Sequence, residues 1–525
     1  MMKAVKRYRI ERENGESDMA SARYAETATV KRKMRKKRTT EQSARELFLF
    51  LAICACYFAV QASTLSNPAY ETIESWRQTD TYSIAVNYVQ YDMNPFAPQF
   101  NYDGIGNIYV QLELQIVPYL SALLFRLLGG ATPVVPRLLS LLFYLGSAWF
   151  FFRILRRFTV LWTALMGLLL YLFLPISMVF SRAIMPEACA MFFYCGAVWF
   201  LLDWYQSKRR ATYKLWLSAI CMAFAILEKI PVAFAGLLVL ACFVWKWGRA
   251  CLHEKSFWGY GAVSLGLPLL YYAYVSVIAT AKFVGGIASK HIFTEGLSAV
   301  FTSEAMDFFR TELPKAFCPA ILLCACIGFF LCRTQRRKPL AVWAVAFALE
   351  LGVIVAVIRF GYYLIFVAPV LAALCAVFLE EVGRKKPMAC IACFLVLFCL
   401  ELFQSIPCWS DATQLDTEIA SVAQSMEAIS EQSDLFAVAS GSPVYLNAAN
   451  RHGYRANIGY YEEIPTGAQA ETAYYIARGV SYFVVVGDSV CNDESGEYLA
   501  YLNQTFPVAL ENEYCKIYDL RREDP

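Results

Sequence analysis

The stretch Arg333 to Lys386, RTQRRKPLAVWAVAFALELGVIVAVIRFGYYLIFVAPVLAALCAVFLEEVGRKK, carries the plan of the whole chain. Its two apolar runs, Leu340 to Ile358 and Tyr362 to Leu379, each approach the roughly 20 residues with which an α-helix crosses a hydrocarbon layer about 30 Å thick. Basic clusters close the two far ends, Arg333/Arg336/Arg337/Lys338 and Arg384/Lys385/Lys386, while the turn between the runs holds Arg359-Phe360-Gly361. A pair of membrane spans with its cations massed at one end follows the positive-inside bias when that end faces the cytoplasm.

Working outward from this pair, the same pattern recurs. Further candidate spans run from Leu47 to Thr64, Val134 to Phe152, Val160 to Phe180, Cys189 to Trp204, Tyr213 to Leu227, Ile230 to Trp245, Phe257 to Ala279, Ala316 to Leu331 and Met388 to Ile406. A chain of 525 residues that is 58% hydrophobic and 17% charged is too apolar for a soluble enzyme of that length. The net charge of +4 matters less than its placement. Arg153/Arg156/Arg157, Lys208/Arg209/Arg210/Lys214 and Lys246/Arg249/Lys255 join the two clusters above on one side when the N-terminus is cytoplasmic. That parity requires Ile108 to Leu128, which carries Gln111, Glu113, Gln115, Pro118 and Arg126, to be an interfacial or re-entrant helix rather than a span.

The chain thus reads as three regions. Residues 1–46 form a disordered, basic cytoplasmic tail whose Lys31 to Arg38 cluster suits anionic headgroups and needs no nucleic acid. Residues 47–406 form the transmembrane domain with an outer loop at 66–133, and residues 411–525 an extracytoplasmic domain. In this last region the strands Leu435 to Ala439 and Tyr482 to Val486 alternate with helices at Pro443 to Asn450, Gln469 to Arg478 and Glu494 to Leu502, an α/β pattern. Most of the 18 cysteines lie in apolar runs and act as small hydrophobes, while Cys491 and Cys515 are placed to pair if their region is extracytoplasmic.

With this topology the candidate chemistry collects on the outer side. The first outer loop holds Glu74-Ser75-Trp76-Arg77-Gln78-Thr79-Asp80-Thr81, the next Ser181-Arg182-Ala183-Ile184-Met185-Pro186-Glu187, and then come Glu228-Lys229-Ile230-Pro231 and Arg359-Phe360-Gly361-Tyr362-Tyr363. Each has a plain reading: a surface pair between Arg77 and Asp80, a helix start at Pro186-Glu187, charges that snorkel to the interface. Yet Arg182, Lys229 and Arg359 all break the positive-inside bias on one face, which points to a shared anionic ligand such as a lipid phosphate.

Together the Ser-Trp-Arg-Gln-Thr-Asp-Thr run, the Arg-x-x-Met-Pro-Glu hinge, the Lys-x-Pro turn and the Tyr-Tyr-Leu helix start resemble the bacterial family 39 glycosyltransferases, relatives of protein O-mannosyltransferases and of the aminoarabinose transferases that modify lipid A. The resemblance covers roughly residues 46–379, with a looser likeness at Ser442-Pro443 and Asn450 to Tyr454. It implies an α-helical polytopic membrane protein of GT-C type with about 11 to 13 transmembrane helices. It also implies an inverting transfer of sugar from a polyprenyl-phosphate donor to an envelope glycan, lipid or protein acceptor. Asp80 then falls on the family's general base and Glu187 on its second acid, which orients the acceptor or helps Asp80 hold a divalent cation, Mg2+ or Mn2+. Arg77, Arg182, Lys229 and Arg359 fall beside the donor phosphate; Trp76, Gln78, Tyr362, Tyr363 and His291 are expected to contact substrate. Two positions depart from many relatives, which have His where this chain has Glu74 and Gly361.

Two other readings compete. A secondary transporter or lipid flippase would carry charges near mid-bilayer, where Glu350 is the main exception here. An O-antigen-type ligase would use a large outer loop, for which Thr280 to Lys315 offers Lys282, Lys290, His291, Arg310 and Lys315.

Overall fold

A computed structural model describes residues 43–106, 108–207, 212–282, 294, 296–461 and 463–521. The basic cluster Lys31 to Arg38, the Lys208 to Arg210 run, Lys290 and His291 lie outside the described residues. The chain divides into two compact units, Met1–Ala59 and Val60–Pro525. The first contributes most of a helix, α1, that spans Ser43–Ala62.

Eight helices among the described residues are long and apolar enough to cross a membrane, or nine when the bent pair Ser303–Phe317 and Pro319–Phe330 counts as one. Besides α1 they are Val134–Phe158, Glu187–Gln206, Ile230–His253, Lys255–Ile278, Lys338–Ile358, Gly361–Lys385 and Pro387–Ala412. All eight fall on expected spans. The other three expected spans are present as shorter or broken pieces. The Val160 to Phe180 run is interrupted at Leu174, where Pro175 starts a second helix, so the apolar stretch becomes Leu161–Phe173 and Pro175–Phe180. Thr212–Glu228 is a 17-residue helix. The Ala316 to Leu331 run begins past a 94° bend, where Cys318 has a left-handed φ of 58° and Pro319 opens the next helix.

Lys255–Ile278 exposes Leu269, Leu270 and Val277, and Pro387–Ala412 exposes Leu395, Val396 and Phe403. Apolar faces of this size suit lipid tails, and the chain is a multi-pass membrane protein. Helices also approach closely inside the bundle: a Cβ on Gly328 would lie 2.1 Å from the carbonyl oxygen of Leu374.

The basic runs meet at one end of the bundle. There Asp203 pairs with Arg157 and Lys214, Arg336 donates to the Arg157 carbonyl, and Arg337 meets Glu381 at 2.6 Å.

At the other end lies α2, Ser75–Gln90, a polar helix that is nonetheless largely buried. It tolerates burial because its hydroxyls bond back along it: Thr79 to the Ser75 carbonyl at 2.8 Å, Thr81 to Arg77 at 2.8 Å and Ser83 to Asp80 at 2.9 Å. The stretch expected as one interfacial helix from Ile108 is two elements. Its β-rich start forms strand β2 (Ile108–Gln111), which pairs antiparallel with β1 (Gln99–Phe100) and parallel with β3 (Ala281–Lys282). The 13-residue helix α3, Ile116–Leu128, follows.

The C-terminal α/β pattern is present, around a five-stranded sheet. Strand β4 (Leu435–Ala439) lies between β5 (His452–Arg455) and β6 (Val480–Val486), both parallel to it, and β8 (Cys515–Asp519) and β7 (Val508–Glu511) extend the sheet antiparallel. One hydrophobic core joins this sheet and its neighbouring helix to the segment before α3: Ile84, Tyr88, Phe100, Tyr102 and Val110 pack with Val422, Phe436, Val438 and Val484. Cys491 and Cys515 are both free thiols.

Candidate active site

The site forms where α2, the segment before α3, two helix ends and the C-terminal domain converge. Glu74 precedes α2 with a left-handed backbone (φ 49°), and Arg359 has the same conformation (φ 56°) at the end of Ala356–Ile358. Non-glycine residues held there are strained, and such strain gathers at functional sites.

Asp80 is 3% exposed. Its Oδ1 accepts from the Asn447 amide at 2.7 Å and its Oδ2 from the Tyr102 hydroxyl at 3.3 Å. Burial pushes its carboxyl up to about 7, opposed by the Arg77 guanidinium one turn back and by the hydrogen bonds of Asn447, Tyr102 and Trp76.

Glu113 sits between two cations: Arg77 pairs with it, and the Lys229 ammonium is 3.8 Å away. Glu187, fully buried in the first turn of its helix, lies 2.7 Å from Lys229 Nζ. Lys229 stands 5.0 Å from the ring centre of Tyr362 and 5.1 Å from that of Tyr363, which adds cation–π attraction. Local structure fixes this placement: the Glu228 carboxylate accepts from the Ile116 N–H at the start of α3 at 3.3 Å, and the Leu114 N–H donates to the Leu227 carbonyl at 2.9 Å. Glu74 joins from the rim, its carboxyl raised by burial first and then by Glu187, against Lys229 and Arg77.

Arg77, Asp80, Glu187, Lys229, Tyr362 and Tyr363 are therefore brought into one cluster. Other expected contacts are engaged elsewhere. Arg182 is buried against Glu71, with Nη2 to Oε1 at 2.8 Å, and the same carboxylate meets Arg137 at 3.1 Å. Gln78 donates to the Ile73 carbonyl and accepts from Arg137 and from the Ile184 N–H, so its amide is committed within the protein. Arg359 is exposed and bonds the Ala356 carbonyl of its own helix. Trp76 is exposed, with the Arg455 guanidinium 5.7 Å from its ring.

Glu71, Arg137, Glu113 and Asn447 were not singled out as site residues. Arg137 had a signal, a cation near the outer end of an apolar run, and Glu113 was visible as an acid ill-suited to a span. Asn447 carried none.

The two carboxylates do not fit a shared divalent cation. Both oxygens of Asp80 accept protein donors, and Glu187 faces the Lys229 ammonium. Among the described residues no group of three or more His, Cys, Asp or Glu is arranged to hold a metal.

Beside the cluster opens a cavity of about 620 Å³. Pro175, Ile176, Val179 and Phe180 give it an apolar wall, while Glu74, Tyr362, Glu312 and Lys315 give it a polar one.

A helical bundle with an ionisable cluster at one end and an α/β domain over that cluster is a fold shared with solved membrane glycosyltransferases. Residues 115–272 match the family described as dolichyl-phosphate-mannose-protein mannosyltransferase. No curated protein matches the chain in sequence. The fold is shared with ArnT from Cupriavidus metallidurans bound to undecaprenyl phosphate, at a TM-score of 0.64 and 12% identity over 90% of this chain and 98% of that one. It is shared also with the Archaeoglobus fulgidus oligosaccharyltransferase (0.56, 11% identity, 84% of this chain and 69% of that one). Another structure of that transferase is a complex with Zn and sulfate. A third match is the mycobacterial arabinofuranosyltransferase AftD (0.52, 13% identity), of which this chain spans 40% while 90% of this chain is covered.

Proposed function

We propose that the protein transfers a sugar from a polyprenyl-phosphate-linked donor to an acceptor hydroxyl of an envelope glycan, lipid or protein, at the extracytoplasmic face of the plasma membrane. The observation that carries this reading is a buried carboxyl, Asp80, bonded by Asn447 and Tyr102, pushed up to about 7 by burial and faced by Arg77, at one end of an apolar bundle. A general base is most useful when its proton affinity lies close to the working pH.

In the proposed step the acceptor oxygen attacks the anomeric carbon and its proton passes to Asp80. The bond from that carbon to the phosphate oxygen breaks, and its electron pair leaves with polyprenyl phosphate. Arg77 and Lys229 answer the charge that grows on the phosphate, with Arg359 at the rim. One base and one displacement give inversion. Glu187 holds Lys229 in place, and the pairing of Arg182 and Arg137 with Glu71 braces the loop below. Trp76, Tyr362 and Tyr363 offer aromatic faces to the sugar, and the apolar cavity wall suits the first prenyl units. With the basic end of the bundle inside, the N-terminus is cytoplasmic and the C-terminal domain extracytoplasmic.

The test is turnover of a panel of polyprenyl-phosphate sugars by purified protein, wild type beside Asp80→Asn, with and without EDTA. Wild type is expected to turn over with either buffer, and Asp80→Asn to lose about 10²- to 10⁴-fold. Full turnover in Asp80→Asn removes it as the base; no turnover with any donor, alongside substrate flux in liposomes, favours a transporter.

A further inference from the structure

One side chain that donates to Asp80 comes from a residue 367 positions away. Asn447 lies on the short helix Val444–Ala448 of the C-terminal domain, which packs against α2. It is 4% exposed, and its Nδ2 donates to Asp80 Oδ1 at 2.7 Å. Its own Oδ1 is buried and accepts no hydrogen bond among the described residues. A buried amide oxygen without a donor costs free energy that an apolar side chain of the same shape would avoid. Stability therefore does not account for an asparagine at this position, whereas its contact with Asp80 does.

The docking that delivers Asn447 is built into both partners. The Gly453 N–H donates to the Asn101 carbonyl at 3.0 Å, and the Arg455 guanidinium pairs with Asp103 at 2.5 Å. Gly453 can take no side chain there, because a Cβ would lie 1.8 Å from the Phe436 carbonyl oxygen. Asn101 and Asp103 flank Tyr102, another side chain that donates to Asp80.

We propose that Asn447 is a positioning residue for the base: the C-terminal domain uses its amide to orient the Asp80 carboxylate and to keep it a proton acceptor. The inference rests on the reading of Asp80 as the base. An amide suits that duty because its N–H₂ donates to a carboxylate, and after a half-turn its oxygen accepts from a carboxylic acid. The other groups facing Asp80 are Arg77 and Trp76 from α2 and Tyr102, whose ring lies 5.1 Å from the Arg455 guanidinium with Asp103 beyond. Tyr445 of the same short helix is occupied by Glu418, and Arg137 reaches α2 through Gln78.

The experiment is the pH profile of kcat for transfer by the full-length protein, comparing wild type, Asn447→Leu, Asn447→Asp and Asp80→Asn. Loss of the donor in Asn447→Leu is expected to move the ascending limb up by about one pH unit, so that turnover falls about tenfold below the limb and recovers above it, with donor KM unchanged. Asn447→Asp, which sets a like charge against the same oxygen, is expected to move the limb further. It has the shape of the native residue and decides the matter if Asn447→Leu does not fold. A limb that stays in place in both variants, whether turnover is retained or reduced equally at every pH, overturns the inference. Turnover retained in Asp80→Asn overturns the base reading beneath it.

Discussion

The two ends of the bundle carry similar charges and use them differently. At the basic end Asp203 joins Arg157 and Lys214, with all three side chains 15–25% exposed, so water and salt compete for each contact. At the other end Lys229, Glu187 and Glu113 are nearly out of water, and Asp80 is pushed up to about 7. Exposure separates the two ends: the same residue types make water-accessible pairs of small energy in one place and buried, mutually dependent groups in the other.

The contrast can be broken most severely at Asp80, where the asparagine variant is expected to lose about 10²- to 10⁴-fold in turnover while remaining folded. Lys229→Met should come next. It leaves Glu187 buried without its cation, so unfolding measurements are expected to show a loss of about 3–5 kcal/mol along with most of the transfer activity. A third test needs no substrate. Because the folded-state pKa of Asp80 is raised, the protonated carboxyl favours the fold below pH 4, and that advantage is lost as pH rises through about 7. Asp80→Asn should therefore raise the Tm at about pH 8 relative to wild type and change it little at about pH 4. The smallest effect belongs to the basic end. Asp203→Ala is expected to cost under about 1 kcal/mol and to leave turnover as it was; a large loss there would erase the contrast.

How much of this was legible in sequence follows from the same physics. Apolar length finds spans, so eight expected spans are full helices, but length alone does not foresee that Pro175 splits one run or that a 94° bend precedes Pro319. Charges stand out against an apolar background, which is why Asp80, Glu187 and Lys229 could be named in advance and fall together here. Their partners were harder. Arg182 was expected on a phosphate and lies against Glu71, an acid in a polar loop where one more carboxylate draws no attention. Asn447 looks like any polar residue of an α/β domain, and the outer loop and that domain share a core that no local pattern announces. His291, expected to contact substrate, lies outside the described residues.

The central claim, that Asp80 takes the acceptor proton, is tested most directly by the pH dependence of kcat/KM for transfer by the wild-type protein between about pH 5 and 9. A limb that rises with unit slope and levels near pH 7 is the predicted result. A flat profile across that range would contradict it.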